Sequence, residues 1–165
     1  MTLDEILATA ISPALALLPA RMDSVEARVM LLAIGLQESK FEHRYQVLNG
    51  TKRKGPARSF WQQEEGGGIK GIYNHAASRP HLEHICLLRS VPFGVRQIWE
   101  AIENDDVLAA GAARLLLFTD ALPLPDVDDV DGAWKLYAVR CWRPGKPHPE
   151  TWPGYHQQAR EALGV

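Results

Sequence analysis

From Val29 to Leu36 the chain is unbroken apolar sequence, and two residues later it reaches a carboxylate, Glu38. Val25, Val29, Leu32 and Leu36 recur at spacings of four, three and four, which is one face of an α-helix. Leu31, Ala33 and Ile34 widen that face until little polar surface remains, so the spacing predicts a mostly buried helix over 25–39. Asp23 or Ser24 is placed to cap it, and Glu26 follows Asp23 by three residues, as in a capping box. Glu38 has Ile34 and Leu31 one and two turns behind it and Gly35 at i−3, where a gap is expected. Partial desolvation there would raise the carboxyl pKa toward the value a general acid needs. The competing reading is a helix-end glutamate in water.

The rest of the composition sets outer limits. A chain of 165 residues, 46% hydrophobic and 23% charged, has the length and make-up of one ordinary globular domain, 1–165. A net charge of −2 lacks the basic surplus of a nucleic-acid binder. Two cysteines, Cys86 and Cys141, are either buried thiols or one bridge. The apolar run Ile6 to Ala20 follows Asp4 and Glu5 rather than a positive segment, and Pro13 and Pro19 interrupt it. It reads as a short amphipathic helix with Leu3, Ile6, Leu7 and Ala10 on one side, then a turn. It reads neither as a signal peptide nor as a membrane insertion.

Beyond the Glu38 helix, Phe41 to Gly55 is polar, with a turn expected at Asn49-Gly50 and a basic triplet at Lys52-Arg53-Lys54. Aromatic and hydrogen-bonding residues alternate from Gly55 to Glu65, and Gly66-Gly67-Gly68 follows without matching a phosphate-binding fingerprint. Ile69 to His75 runs toward a helix. His81, His84 and Cys86 are metal-ligand types, but lacking a second cluster they read as incidental residues of a half-exposed helix. Pro92 is expected to start a helix carrying Val95, Ile98, Trp99 and Ile102, and Asn104-Asp105-Asp106 to cap another over Val107–Phe118. A helix over Trp134–Trp142 should stop at Arg143-Pro144-Gly145. The proline-rich stretch 143–153 should then pack as an ordered extension ahead of a last helix, Tyr155–Leu163. The expected fold class is mainly α, with one irregular or short-stranded region between Phe41 and Gly71.

These pieces, in this order, resemble the lysozyme-like superfamily of goose-lysozyme and transglycosylase type, and within it small phage-encoded peptidoglycan lyases. Leu32 to Phe41 looks like the opening motif, a buried helix ending in Glu-Ser. Ser59-Phe60-Trp61-Gln62 stands where the family has Gly-Leu-Met-Gln, inside a string, Gly55 to Gln62, associated with phage proteins. Leu108 to Phe118 fits the family's alanine-rich helix, and Leu136 to Gly145 a divergent last motif with Tyr137 as its tyrosine. The likeness spans residues 25–145. Ser59 and Trp61 depart from the usual glycine and methionine, and the Asn-Ala-Gly turn of the last motif is not recognisable.

The resemblance implies a lysozyme-like helical domain with a short β-hairpin region lining a sugar cleft, and a lytic transglycosylase with Glu38 as its single acid/base. It would cut the MurNAc-β-1,4-GlcNAc bond of peptidoglycan and leave 1,6-anhydro-MurNAc ends, with no metal or cofactor. Ser39, Ser59, Trp61, Gln62 and Tyr137 are the expected substrate-side residues. Ser39 is open to a capping role and Trp61 to a core role. A hydrolase needs a second carboxylate, for which Glu64 and Glu65 are the nearby candidates. The alternatives are therefore a muramidase, or a phage virion protein that keeps the fold without activity. The expected partners are glycan strands and phage virion proteins. The expected location is a virion or the host cytoplasm, with another agent delivering the protein to the wall.

Overall fold

The computed structural model describes residues 1–48, 50 and 53–165, and is mainly helical with one small antiparallel sheet. The helix Val25–Ser39 runs through its centre, with Leu31, Leu32, Ala33 and Ile34 fully buried. Ser24 is the cap, its hydroxyl accepting from the Ala27 amide at 3.2 Å. Asp23 is not the cap and forms no capping box with Glu26, because its carboxylate is committed to Arg28 at 2.7 Å. Val25, expected on the apolar face, is 43% exposed, since the first turn protrudes beyond the core. The helix ends with Lys40 and Phe41 both left-handed (φ 53° and 57°), which folds the Phe41 ring back onto Gly35. The gap expected beside Gly35 is thus filled: a Cβ there would collide with that ring.

Two other helices hold this one, Asp106–Phe118 and the C-terminal helix Trp152–Leu163. In the first, Asp105 accepts from the Leu108 amide, and Ala109, Ala110, Ala112 and Ala113 are fully buried, the small side chains letting neighbours approach closely. The second begins at Trp152 rather than Tyr155, with Pro153 in its first turn, where a missing amide costs nothing.

Prolines act differently from expectation at two more points. Leu3–Ile6 and Ser12–Ala16 are not separated by a turn but joined through a π-helical stretch, Leu7–Ile11. Pro13 sits just after it, in the first turn of the last segment, where the wider winding accommodates its ring. Pro92 does not begin a helix: Val95–Ala101 starts after Gly94 instead.

The stretch 45–64 forms three short strands, β1 (Tyr45–Val47), β2 (Lys54–Arg58) and β3 (Gln63–Glu64), in the order β1-β2-β3. Tyr45 pairs with Arg58 and Val47 with Lys54, with a register shift between. Pro56, in the middle of central β2, cannot donate to the ladder, and such a residue is tolerated at an irregularity of this kind. Its carbonyl accepts from the Trp99 indole at 2.8 Å. Of the expected Asn49-Gly50 turn and basic triplet, Asn49 and Lys52 lie outside the described residues. Lys54 pairs with Glu103.

Val130–Trp134 continues without a break into a second π-helical segment, Lys135–Cys141. It starts earlier than expected because Asp129 caps it at the Gly132 amide. Residues 143–151 then run without regular structure but are tied back to the Glu38 helix. The Gln37 amide donates to the His148 carbonyl at 3.1 Å, and the Thr151 hydroxyl donates to Gln37 at 3.0 Å. No helix among the described residues is long and apolar enough to cross a membrane.

Candidate functional site

The end of the Glu38 helix opens into a cleft of about 630 Å³. Gln46 and Ala57 of the sheet wall one side, Gly67 and Gly68 the next, and Cys141 to Lys146 the third. Glu38 lines this cleft, half-buried. The Tyr137 phenol donates to Glu38 Oε1 at 2.7 Å, across 99 residues of sequence. Tyr137 is itself buried and lies flat on Trp152, ring centroids 5.1 Å apart and planes within 3°. The π-helical winding leaves its carbonyl to accept from the Trp142 amide, five residues on, at 2.9 Å.

Burial pushes the Glu38 carboxyl up to about 7, and the Tyr137 hydrogen bond pulls the other way by favouring the charged form. Burial, with the Glu38 charge beside it, drives the Tyr137 hydroxyl far above its ordinary value, so the phenol stays a donor. A carboxyl poised near 7 on an open cleft can give a proton to a bound molecule and take one back.

The other expected residues divide. Gln62 lines the cleft, its side-chain amide donating to the Ser59 carbonyl at 2.7 Å. Glu64 lines it too, whereas Glu65 is turned away and held by Arg96 at 2.9 Å. Ser39 is a structural residue: its hydroxyl donates to the Phe60 carbonyl at 2.8 Å and accepts from the Phe41 amide, stapling the helix end to the aromatic segment. Ser59, expected to face substrate, is fully buried at φ 67°, where its hydroxyl accepts from the Trp61 amide and shapes the turn into β3. Trp61 takes the core role. It is fully buried, with its indole donating to the Leu31 carbonyl at 2.8 Å, and its own carbonyl accepts from the Trp142 indole.

Gln46, Gln63, Arg143 and Lys146 also line the cleft and are not among the expected site residues. Gln63 and Gln46 line it with buried amide atoms that have no partner among the described residues, Gln63 at 2% exposure. Strand alternation from Ala57 through the turn could have pointed to Gln63, but the strand is too short to be read. Arg143, expected as a helix stop within the divergent last motif, reaches the cleft from a left-handed backbone, φ 48°. Lys40, Phe41, Ser59 and Gln62 also have positive φ, so strained non-glycine backbone surrounds Glu38. Each such position costs on the order of 1 kcal/mol, and strain of this kind concentrates at functional sites.

Cys86 and Cys141 are free thiols. Cys141 touches the cleft, but burial pushes its thiol up to about 12, leaving no nucleophilic thiolate at neutral pH. His81 packs edge-on against Phe118, His84 is exposed and Cys86 is in the core. Compared with known families, curated proteins and solved structures, the chain matches none.

Proposed function

We propose that this chain is a lytic transglycosylase of the lysozyme-like superfamily, cutting the β-1,4 bond between N-acetylmuramic acid and N-acetylglucosamine in peptidoglycan. The observation that carries the reading is the half-buried Glu38, raised to about 7 and gripped by Tyr137 in an open cleft. Glycosidic cleavage needs a proton on the leaving oxygen and a stabilised oxocarbenium-like transition state. Protonated Glu38 gives that proton. The carboxylate it becomes then takes the proton of the muramic 6-hydroxyl as that oxygen bonds to C1, closing the 1,6-anhydro ring and restoring the acid. Gln46, Gln62 and Gln63 supply amides of the kind that pair with acetamido groups. The reaction as written uses one carboxylate and no cofactor. The resemblance to small phage lyases supports a role at the bacterial wall, as a virion component or a lysis enzyme delivered there.

A second reading has one observation in its favour: Glu64 lines the same cleft and is the carboxylate a muramidase would use. Digestion of purified peptidoglycan, with the products identified by mass spectrometry, decides between them. Anhydro-ended muropeptides from the wild type, with Glu38→Gln slower by at least about 10²-fold, are expected. Reducing ends would move the assignment to the muramidase. No product from the folded protein would overturn both and leave the inactive virion protein.

A further inference from the structure

The C-terminal helix buries an ionisable side chain that the proposed reaction does not use. His156 is 1% exposed, and its Nδ1 has no hydrogen-bond partner among the described residues. The imidazole lies one turn beyond Trp152, with ring centroids 6.0 Å apart. Trp152 donates its indole N–H to the Val130 carbonyl at 3.2 Å and stacks on Tyr137, whose phenol holds Glu38. Contacts therefore run without a break from His156 through Trp152 and Tyr137 to Glu38.

A proton on His156 would place a charge on an enclosed ring, which costs free energy unless a partner meets it. Arg160, one turn further along the helix, adds a like charge, and its own Nε is buried without a partner among the described residues. Asp129, the cap of Val130–Trp134, is the charge that favours the proton. Among the described residues, no ionisable group of Leu3–Ile6 or Val25–Ser39, the other helices packed on this one, acts on the imidazole. Burial first and Arg160 second hold His156 below the ordinary histidine value of 6.5, and Asp129 pulls the other way. The unfolded chain thus takes up this proton before the folded one does. The stability involved is whole above 6.5 and is lost as pH falls through the lowered value.

We propose that His156 is an acid-sensitive latch: its protonation weakens the docking of the C-terminal helix, draws Trp152 off Tyr137 and leaves Glu38 without its oriented donor. The docking step stands on these contacts alone, and its effect on catalysis rests on the proposed function. The site then works within a window of pH. Deprotonation of Glu38 closes it from above, and release of the latch closes it from below. Glu38 as general acid gives no such lower limit, since acid keeps it protonated.

The test follows thermal melting of the full chain from about pH 7.5 to about pH 5, with initial rates on peptidoglycan beside it, in wild type and His156→Gln. Glu38, raised to about 7, changes stability in the opposite sense over the same range. The share of the histidine is therefore read as the difference between the two proteins. The wild-type melting temperature should fall by about 2–4 °C more than that of the variant. The wild-type rate should drop by roughly three- to ten-fold more on the acid side. Arg160→Gln leaves the imidazole in place and removes the like charge, so it should shrink both differences even where His156→Gln fails to fold. Melting curves that shift in parallel in all three proteins would overturn the latch and leave the proposed function standing. A melting difference with identical rate profiles would overturn the link from the latch to Glu38. Melting that differs as expected in a protein that cuts at no pH would support the docking step and overturn the proposed function.

Discussion

At Glu38 two opposing influences set the proton affinity, and they can be separated by experiment. Burial raises the carboxyl to about 7 and the Tyr137 hydrogen bond lowers it. An acid must be protonated to act, so the proposed lyase activity should fall as pH rises through about 7. In Tyr137→Phe the charged form loses its donor, so the alkaline limb should move to higher pH. The rate below that limb should drop on the order of ten-fold as the carboxyl loses its orientation. A pH–rate profile of the variant checks this, and a limb that stays in place would show that Tyr137 does not tune the acid. Glu38 was legible in the sequence because its neighbours are its own helical turns, Ile34 and Leu31. Ser39 and Ser59 were not. Hydroxyls bond whatever the tertiary fold brings near, here the Phe60 carbonyl for Ser39 and the Trp61 amide for Ser59.

At the scale of elements, the Glu38 helix depends on how it ends. Gly35 is required because Phe41, thrown back by two left-handed residues, occupies the space a side chain would need. Gly35→Ala should therefore destabilise by about 1–3 kcal/mol or slightly more, as overpacking does, even though alanine is the better helix former. Denaturant unfolding measures it, and a neutral or stabilising result would show that Phe41 can move aside freely. Helices with strong periodicity and acidic caps were readable to within a few residues. The exceptions came where winding changed: Pro13 breaks an α-helix but not a chain that has widened to π ahead of it. The strands were legible only as a short-stranded region between Phe41 and Gly71, without bounds or pairing, for a different reason. They are two to five residues long and the middle one contains a proline, so no alternation could develop.

Across the whole molecule, the site is assembled from parts far apart in sequence. The proposed acid comes from the Glu38 helix, its hydrogen-bond donor from the π-wound segment, and the support for that donor from Trp152 of the C-terminal helix. Trp152→Ala should cost about 3–5 kcal/mol, the usual range for deleting a buried indole. It should also lower activity, because Tyr137 loses the surface it rests on. Calorimetric melting and a rate measurement on the surviving folded fraction test the two effects separately, and Trp152→Phe should recover most of both. Sequence patterning could name the helices that take part but not this adjacency, which no local signal records. The stack of Tyr137 on Trp152 also orders events in time. A ribosome delivers Glu38 more than a hundred residues before Trp152, so the nascent chain carries its acid long before it carries the ring that steadies the acid's partner. The support of the proposed acid is therefore completed only when the last helix docks.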